Sequence, residues 1–205
     1  RMMCRLLYEQ YNHYNYLLGV ETLMDDREKE MFRAVSRDMD GDIAAMSLHM
    51  LSKLLMRHYG RKVLILLDEC DTPMQEAYVN GYWEEAVAFM RNLFNATFKT
   101  NPYLDKALMT GITRVSKESI FSDFNNLTVV TATSAKYGDA FGFTQEEVSA
   151  SLLEFGLSEW EGKVKDWYDG FTFGKKTDIY NPWSIINFLD DRKLSAYWAN
   201  TSSNS

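Results

Sequence analysis

Five consecutive apolar residues, Val63 to Leu67, run straight into Asp68 and Glu69, and a third carboxylate follows at Asp71 in the stretch "VLILLDECDTP". An unbroken leucine and β-branched run of this length predicts a strand covered on both faces, and hence a parallel sheet between helical layers. In such open sheets the functional crevice lies beyond the carboxyl ends of the strands. Two adjacent acids at that point are therefore delivered to the candidate site by geometry alone.

The flanking segments fit an α/β alternation. "RMMCRLLYEQYNHYNYLL" and "GDIAAMSLHMLSKLLMRHY" place large apolar groups at three- and four-residue intervals, with Gly60 ending the second helix. The charged stretch between them, "MDDREKEMFRAVSRDMD", reads as a solvated helix or a linker. "GYWEEAVAFMRNLFNATFKTN" is helical and closed by Pro102; "KALMTGI" and "LTVVTAT" read as a second buried strand and a third candidate strand. From Thr144 the pattern is mostly helical again. A capping box from Thr144 to Glu147 opens one helix, and Pro182 starts another, "PWSIINFLDD". The expected architecture is a three-layer α/β core over residues 1–143 followed by a helical region over 144–205.

Composition narrows the function. The net charge of −7 removes any general electrostatic pull toward nucleic acid or anionic lipid. Two cysteines, Cys4 and Cys70, make no disulfide framework, and His13, His49 and His58 have no metal-ligand spacing with them. A reducing, cytoplasmic setting is expected. No apolar run approaches the roughly 20 residues that cross a bilayer. The chain starts at Arg1 and reads as a piece of a longer protein.

A strand-terminal aspartate suits Mg²⁺, held through water because the ion keeps much of its hydration shell. Asp68 is the candidate ligand. Glu69, pointing elsewhere, is the candidate for polarising a nucleophilic water. This hydrophobic run ending in Asp-Glu is the Walker B pattern. The bland alternative is that the acids cap the next helix, where carboxylates gain about 0.3–1 kcal/mol. Asp71, followed by Thr72 and Pro73, reads as that cap, with Pro73 at the first helical position. A second stretch, "ALMTGITRVSKESIFSDFNNL", sets Thr110, Thr113 and Arg114 just after the next strand, facing the same crevice. A guanidinium there matches phosphate oxygens bidentately; the alternative for Arg114 is a surface ion pair. Phe121, Phe124 and Leu127 read as core residues under a loop.

"LLDECDTP", "TGITRVSKESIFSDFNNL", "FGFTQEEV", "WYDGFTF", "YNPWSIINFL" and "YWANTSSN" occur here in the order of the signature segments of the AAA-ATPase-like proteins of bacteria, and the chain resembles that family. The resemblance is strongest from about Val63 to Asn204, with residues 1–62 matching loosely. It implies a P-loop NTPase-like parallel sheet, truncated on its N-terminal side, followed by a helical lid. It also implies ATP and Mg²⁺ as cofactors, with Asp68 as the magnesium-binding Walker B residue and Glu69 as the water activator. Arg114 resembles a basic sensor position, with Thr110 and Thr113 beside it on the nucleotide. The family has "DEYD" where this chain has "DECD", a change at Cys70 that alters packing rather than chemistry. Trp167, Tyr168 and Trp183 are read as packing residues. Family members are often joined to a PD-(D/E)XK nuclease-type domain, so nucleic acid through such an effector, and a homo-oligomer, are the implied partners.

The main departure is the phosphate-binding loop. No G-x-x-x-x-G-K-[ST] occurs in these 205 residues; "YGRKV" and "FGKKT" lack the first glycine at the required spacing. In the family that motif lies upstream of the segments quoted, so the chain is expected to hold the hydrolysis half of a site and, alone, to have little nucleotide affinity. Its rival is a P-loop-like scaffold or regulatory module without turnover. A nuclease reading of Glu161-Gly162-Lys163 needs a strand and meets a helical pattern. A glycosidase reading fails because adjacent strand residues point apart.

Overall fold

Side-chain caps decide where the N-terminal helices begin. In the computed structural model, which describes residues 2–111 and 127–200, helix α1 spans Met2–His13 and runs into a 3₁₀ turn at Asn15–Gly19. Helix α2, Asp26–Ala34, starts at a capping box in which the Glu28 N–H donates to Asp25 Oδ1 at 2.7 Å. The segment expected as a solvated helix or linker is thus a helix, and it is anchored: Phe32 is buried, and Glu28 accepts from Lys53 Nζ at 2.7 Å and Arg57 Nη1 at 2.8 Å. Helix α3, Gly41–Tyr59, is capped by Asp40, which accepts from the Asp42 and Ile43 N–H groups, and it ends at Gly60 with φ +66°. These helices bury Leu7, Tyr11, Leu17, Phe32, Leu51 and Leu54 together. Each such leucine contributes about 1.5–3 kcal/mol.

The chain divides into two compact units, residues 1–126 and 127–205. In the first, strand β1 (Val63–Leu67) pairs in parallel with β2 (Leu104–Met109), joined by α4 (Thr72–Val79), α5 (Trp83–Phe94) and a π turn at Asn95–Lys99. This is a mixed α/β arrangement with a two-stranded parallel sheet. The strands appear where the apolar runs predicted them, but two-sided burial does not. Val63, Ile65 and Leu67 are half-buried, whereas Leu64 and Leu66 are 64% and 77% exposed and Leu108, opposite Leu66, is 56% exposed. The alternation is the one an uncovered sheet face imposes, because successive side chains point to opposite sides.

In the second unit, α6 (Gln145–Glu154) opens with the expected capping box at Thr144 and Glu147. It is followed by a 3₁₀ turn at Ser158–Trp160, α7 (Glu161–Tyr168), strands β3 (Asp169–Phe173) and β4 (Lys176–Tyr180), α8 (Pro182–Asp191) and a 3₁₀ turn at Tyr197–Asn200. The antiparallel β3–β4 hairpin stands where helix was expected. Phe171 and Phe173 alternating just ahead of Gly174 are a hairpin signal within the region expected to be mostly helical from Thr144. Conversely, "LTVVTAT" forms no strand: residues 127–133 lie outside any ladder, and β-propensity without a pairing partner makes no sheet. Tyr168 is core, whereas Trp167 and Trp183 are about half exposed, 46% and 53%, rather than packed away. Glu161 lies on α7, confirming the helical context of the Glu-Gly-Lys triplet. No described helix is long and apolar enough to cross a membrane.

Candidate active site

Backbone hydrogen bonding between the two segments continues past the strands, one residue beyond β2 to Thr110 and three beyond β1 to Cys70. The Thr110 N–H donates to Leu67 O at 2.9 Å, and the Cys70 N–H donates to Thr110 O at 2.9 Å. Residues 68–70 are therefore bound to the chain leaving β2, which brings Asp68, Glu69 and Thr110 together. The Thr110 hydroxyl donates to Asp68 Oδ1 in a short hydrogen bond. The Glu69 N–H is shared between the same Oδ1 at 3.1 Å and Thr110 Oγ1 at 3.2 Å. Glu69 has φ +48°, a left-handed conformation that costs a non-glycine residue on the order of 1–3 kcal/mol. A turn this tight after β1 separates the two acids: Asp68 is tethered to the second strand, and the Glu69 side chain is exposed without a hydrogen-bonding partner among the described residues.

Asp71 does not do what its sequence position suggested. It precedes α4, but its side chain makes no capping bond, its backbone is already helical, and Thr72 rather than Pro73 is the first helical residue. The carboxylate is 1% exposed and accepts from Gln75 Nε2 at 3.0 Å. It also sits against Gly111, where an added Cβ would lie 2.7 Å from Asp71 Oδ1. So Asp71 packs the base of α4 against the segment leaving β2, and only glycine leaves room for it. The second aspartate of "DECD" together with the "TG" after the next strand is the sequence signal for this contact. Beside it, burial first and the Asp71 charge second push the Cys70 thiol up, which suits a packing residue and not a nucleophile.

Of the residues singled out in the sequence, Asp68, Glu69 and Thr110 are brought together, while Thr113, Arg114, Phe121 and Phe124 lie outside the described residues. Both acids are exposed. Two cavities among the described residues of the first unit lie elsewhere: one of about 540 Å³ is lined by residues including Glu28, Arg57 and His58, the other, of about 570 Å³, by the turn between α4 and α5. No group of three or more His, Cys, Asp or Glu among the described residues is arranged to hold a metal ion. One carboxylate with a neighbouring hydroxyl is nevertheless the donor set that Mg²⁺ accepts when phosphate and water supply its other ligands.

A family model described as "Predicted AAA-ATPase" matches residues 8–121. That span is more than half of the chain and takes in the helices before β1, which had matched only loosely, together with the whole Asp68–Thr110 constellation. A protein of Azotobacter chroococcum mcd 1, described as an uncharacterized protein in the vnfD 5' region, is 25% identical over 143 residues, covering 69% of this chain and 27% of that protein. The chain thus spans about a quarter of the length of the relative it matches. No solved structure gives a significant match.

Proposed function

The chain belongs to the AAA-ATPase-like family, and on that premise we propose that it supplies the hydrolytic edge of a Mg²⁺-dependent ATP site. Asp68 holds the ion through water, and Glu69 polarises the attacking water. Thr110, Thr113 and Arg114 contact the phosphates. The observation that carries this reading is the extension of the parallel ladder past both strands, which sets an exposed carboxylate and a hydroxyl together at the carboxyl edge of a parallel sheet. Nucleotide hydrolases place their magnesium ligand at that edge because the strand ends are rigid and open to phosphate. The two strands belong, in this proposal, to a larger three-layer P-loop NTPase-like sheet over residues 1–143, with residues 144–205 as the lid. ATP turnover would drive a separate effector domain in a cytoplasmic protein, with nucleic acid reached through that effector and self-assembly as a homo-oligomer.

One observation favours a second reading, a binding module without turnover. Asp68 Oδ1 already accepts from Thr110 and from the Glu69 N–H, which leaves only its other oxygen for an ion's water. The two readings separate in the full-length protein. Mg²⁺-dependent phosphate release is expected to fall at least about a hundredfold in Glu69→Gln, the scale on which a positioned base acts. Equal rates in parent and variant would remove the hydrolytic reading.

A further inference from the structure

The turn joining α4 to α5 shares no lining residue with the Asp68 constellation and has its own chemistry. Its cavity of about 570 Å³ is lined by Tyr78, Gly81, Tyr82, Trp83, Glu84 and Glu85. Tyr78 comes from the last turn of α4, Tyr82 precedes α5, and Trp83 is its first residue. The Tyr78 and Trp83 rings stand nearly perpendicular, 87° apart with centroids 6.2 Å from each other. Core packing does not account for two of the three rings: Tyr78 is 77% exposed and Tyr82 43% exposed, with Trp83 partly buried. Among the described residues no cation pairs with Glu84 or Glu85, and the cation–π contacts use other rings.

We propose that this cavity binds a quaternary ammonium group. Ring faces carry the negative end of the aromatic quadrupole, and two or more rings set at an angle attract a cation placed between them. The two carboxylates add to that field. The start of α5 opposes it with only about half a positive charge, so the local balance favours a cation. The kind of cation follows from hydrogen bonding. A lysine ammonium brings three N–H donors and an arginine five, and ring carbon cannot satisfy them, so they would enter at the cost of lost hydration. A trimethylammonium head has no donors to satisfy and is weakly hydrated. First-turn glutamates also stabilise a helix by about 0.3–1 kcal/mol. That explains Glu84 and Glu85 but not three aromatic side chains around an open cavity.

The test is calorimetric titration of the 205-residue chain with choline chloride at constant ionic strength made up with NaCl. Saturable binding is expected, and 3,3-dimethylbutan-1-ol, which has the same shape without the charge, should bind roughly tenfold more weakly. Tyr78→Ala and Trp83→Ala should each weaken choline about fivefold or more, and Trp83→Phe should restore part of the loss. The double change Glu84→Gln with Glu85→Gln should weaken it about threefold or more. Tyr78 is so exposed that its truncation leaves the fold intact, as an unchanged circular dichroism spectrum would record. The proposal is overturned by equal binding of the neutral isostere, by undiminished binding in Tyr78→Ala, or by no saturation up to roughly 50 mM, well above a millimolar site.

Discussion

Gly111→Ala measures whether Asp71 holds the two halves of the candidate site together. Gly111 does not have a left-handed φ, so alanine meets no backbone penalty and the whole effect comes from contact. The new methyl would lie 2.7 Å from Asp71 Oδ1 and 3.0 Å from its Cγ, several tenths of an ångström inside contact distance. Both sides are backed by structure. Asp71 is 1% exposed and bonded to Gln75, and Gly111 follows Thr110, whose N–H and C=O are tied to Leu67 and Cys70. Relief requires either displacing the carboxylate, which weakens a buried hydrogen bond to a charged group by about 1.5–3 kcal/mol, or overpacking, which costs about 1–3 kcal/mol. We expect a loss of about 1–3 kcal/mol in urea unfolding, and faster amide hydrogen exchange in the peptides spanning residues 63–80. In Asp71→Ala the methyl has nothing to strike, so the two substitutions together should cost less than the sum of their separate effects. A loss below about 0.5 kcal/mol, or strict additivity with Asp71→Ala, would refute the contact as a structural tie.

Burial works to raise the Glu28 carboxyl, but hydrogen bonds from Lys53 and Arg57 outweigh it and hold the group below the ordinary glutamate range. The resulting stability is present above the unfolded glutamate pKa and is lost as pH falls through the lower folded value. Glu28→Gln should therefore destabilise at neutral pH by about 1 kcal/mol, a figure discounted because Arg57 is 42% exposed; the gap from the parent should close in acid melts. Glu69→Gly should relieve the left-handed strain and raise stability by up to about 1 kcal/mol while abolishing hydrolysis in the full-length protein; a destabilised variant in urea titration would contradict the strained turn. Gly174→Ala should unfold the second unit by about 2 kcal/mol or more, because φ is +60° and the methyl would strike the Ser134 carbonyl; a thermal melt unchanged within about 1 °C would show that the hairpin turn tolerates a side chain. The chain by itself should show no ATP binding in calorimetry, and tight binding would contradict its assignment as one half of a phosphate site.

Local chemistry alone determined much of this protein. The Asp40, Thr144 and Asn181 caps, the left-handed Gly60 and the apolar run from Val63 to Leu67 act within a few residues, so α3, α6, α8 and β1 begin or end where the sequence places them. The nearness of Asp68 and Glu69 to a strand end was legible for the same reason. Tertiary contacts decided the rest, because they join residues far apart in the chain. Thr110 meets Asp68 across 42 positions, and Asp71 became a buried wedge against Gly111 only once β2 lay beside β1. Which faces are covered was likewise settled by neighbours: a leucine run encodes the capacity to be buried, and the presence of another layer decides whether Leu64 and Leu66 are. The β3–β4 hairpin lies between the two cases: alternating Phe171 and Phe173 ahead of Gly174 mark it locally, and cross-strand pairing of Phe171 with Ile179 fixes it.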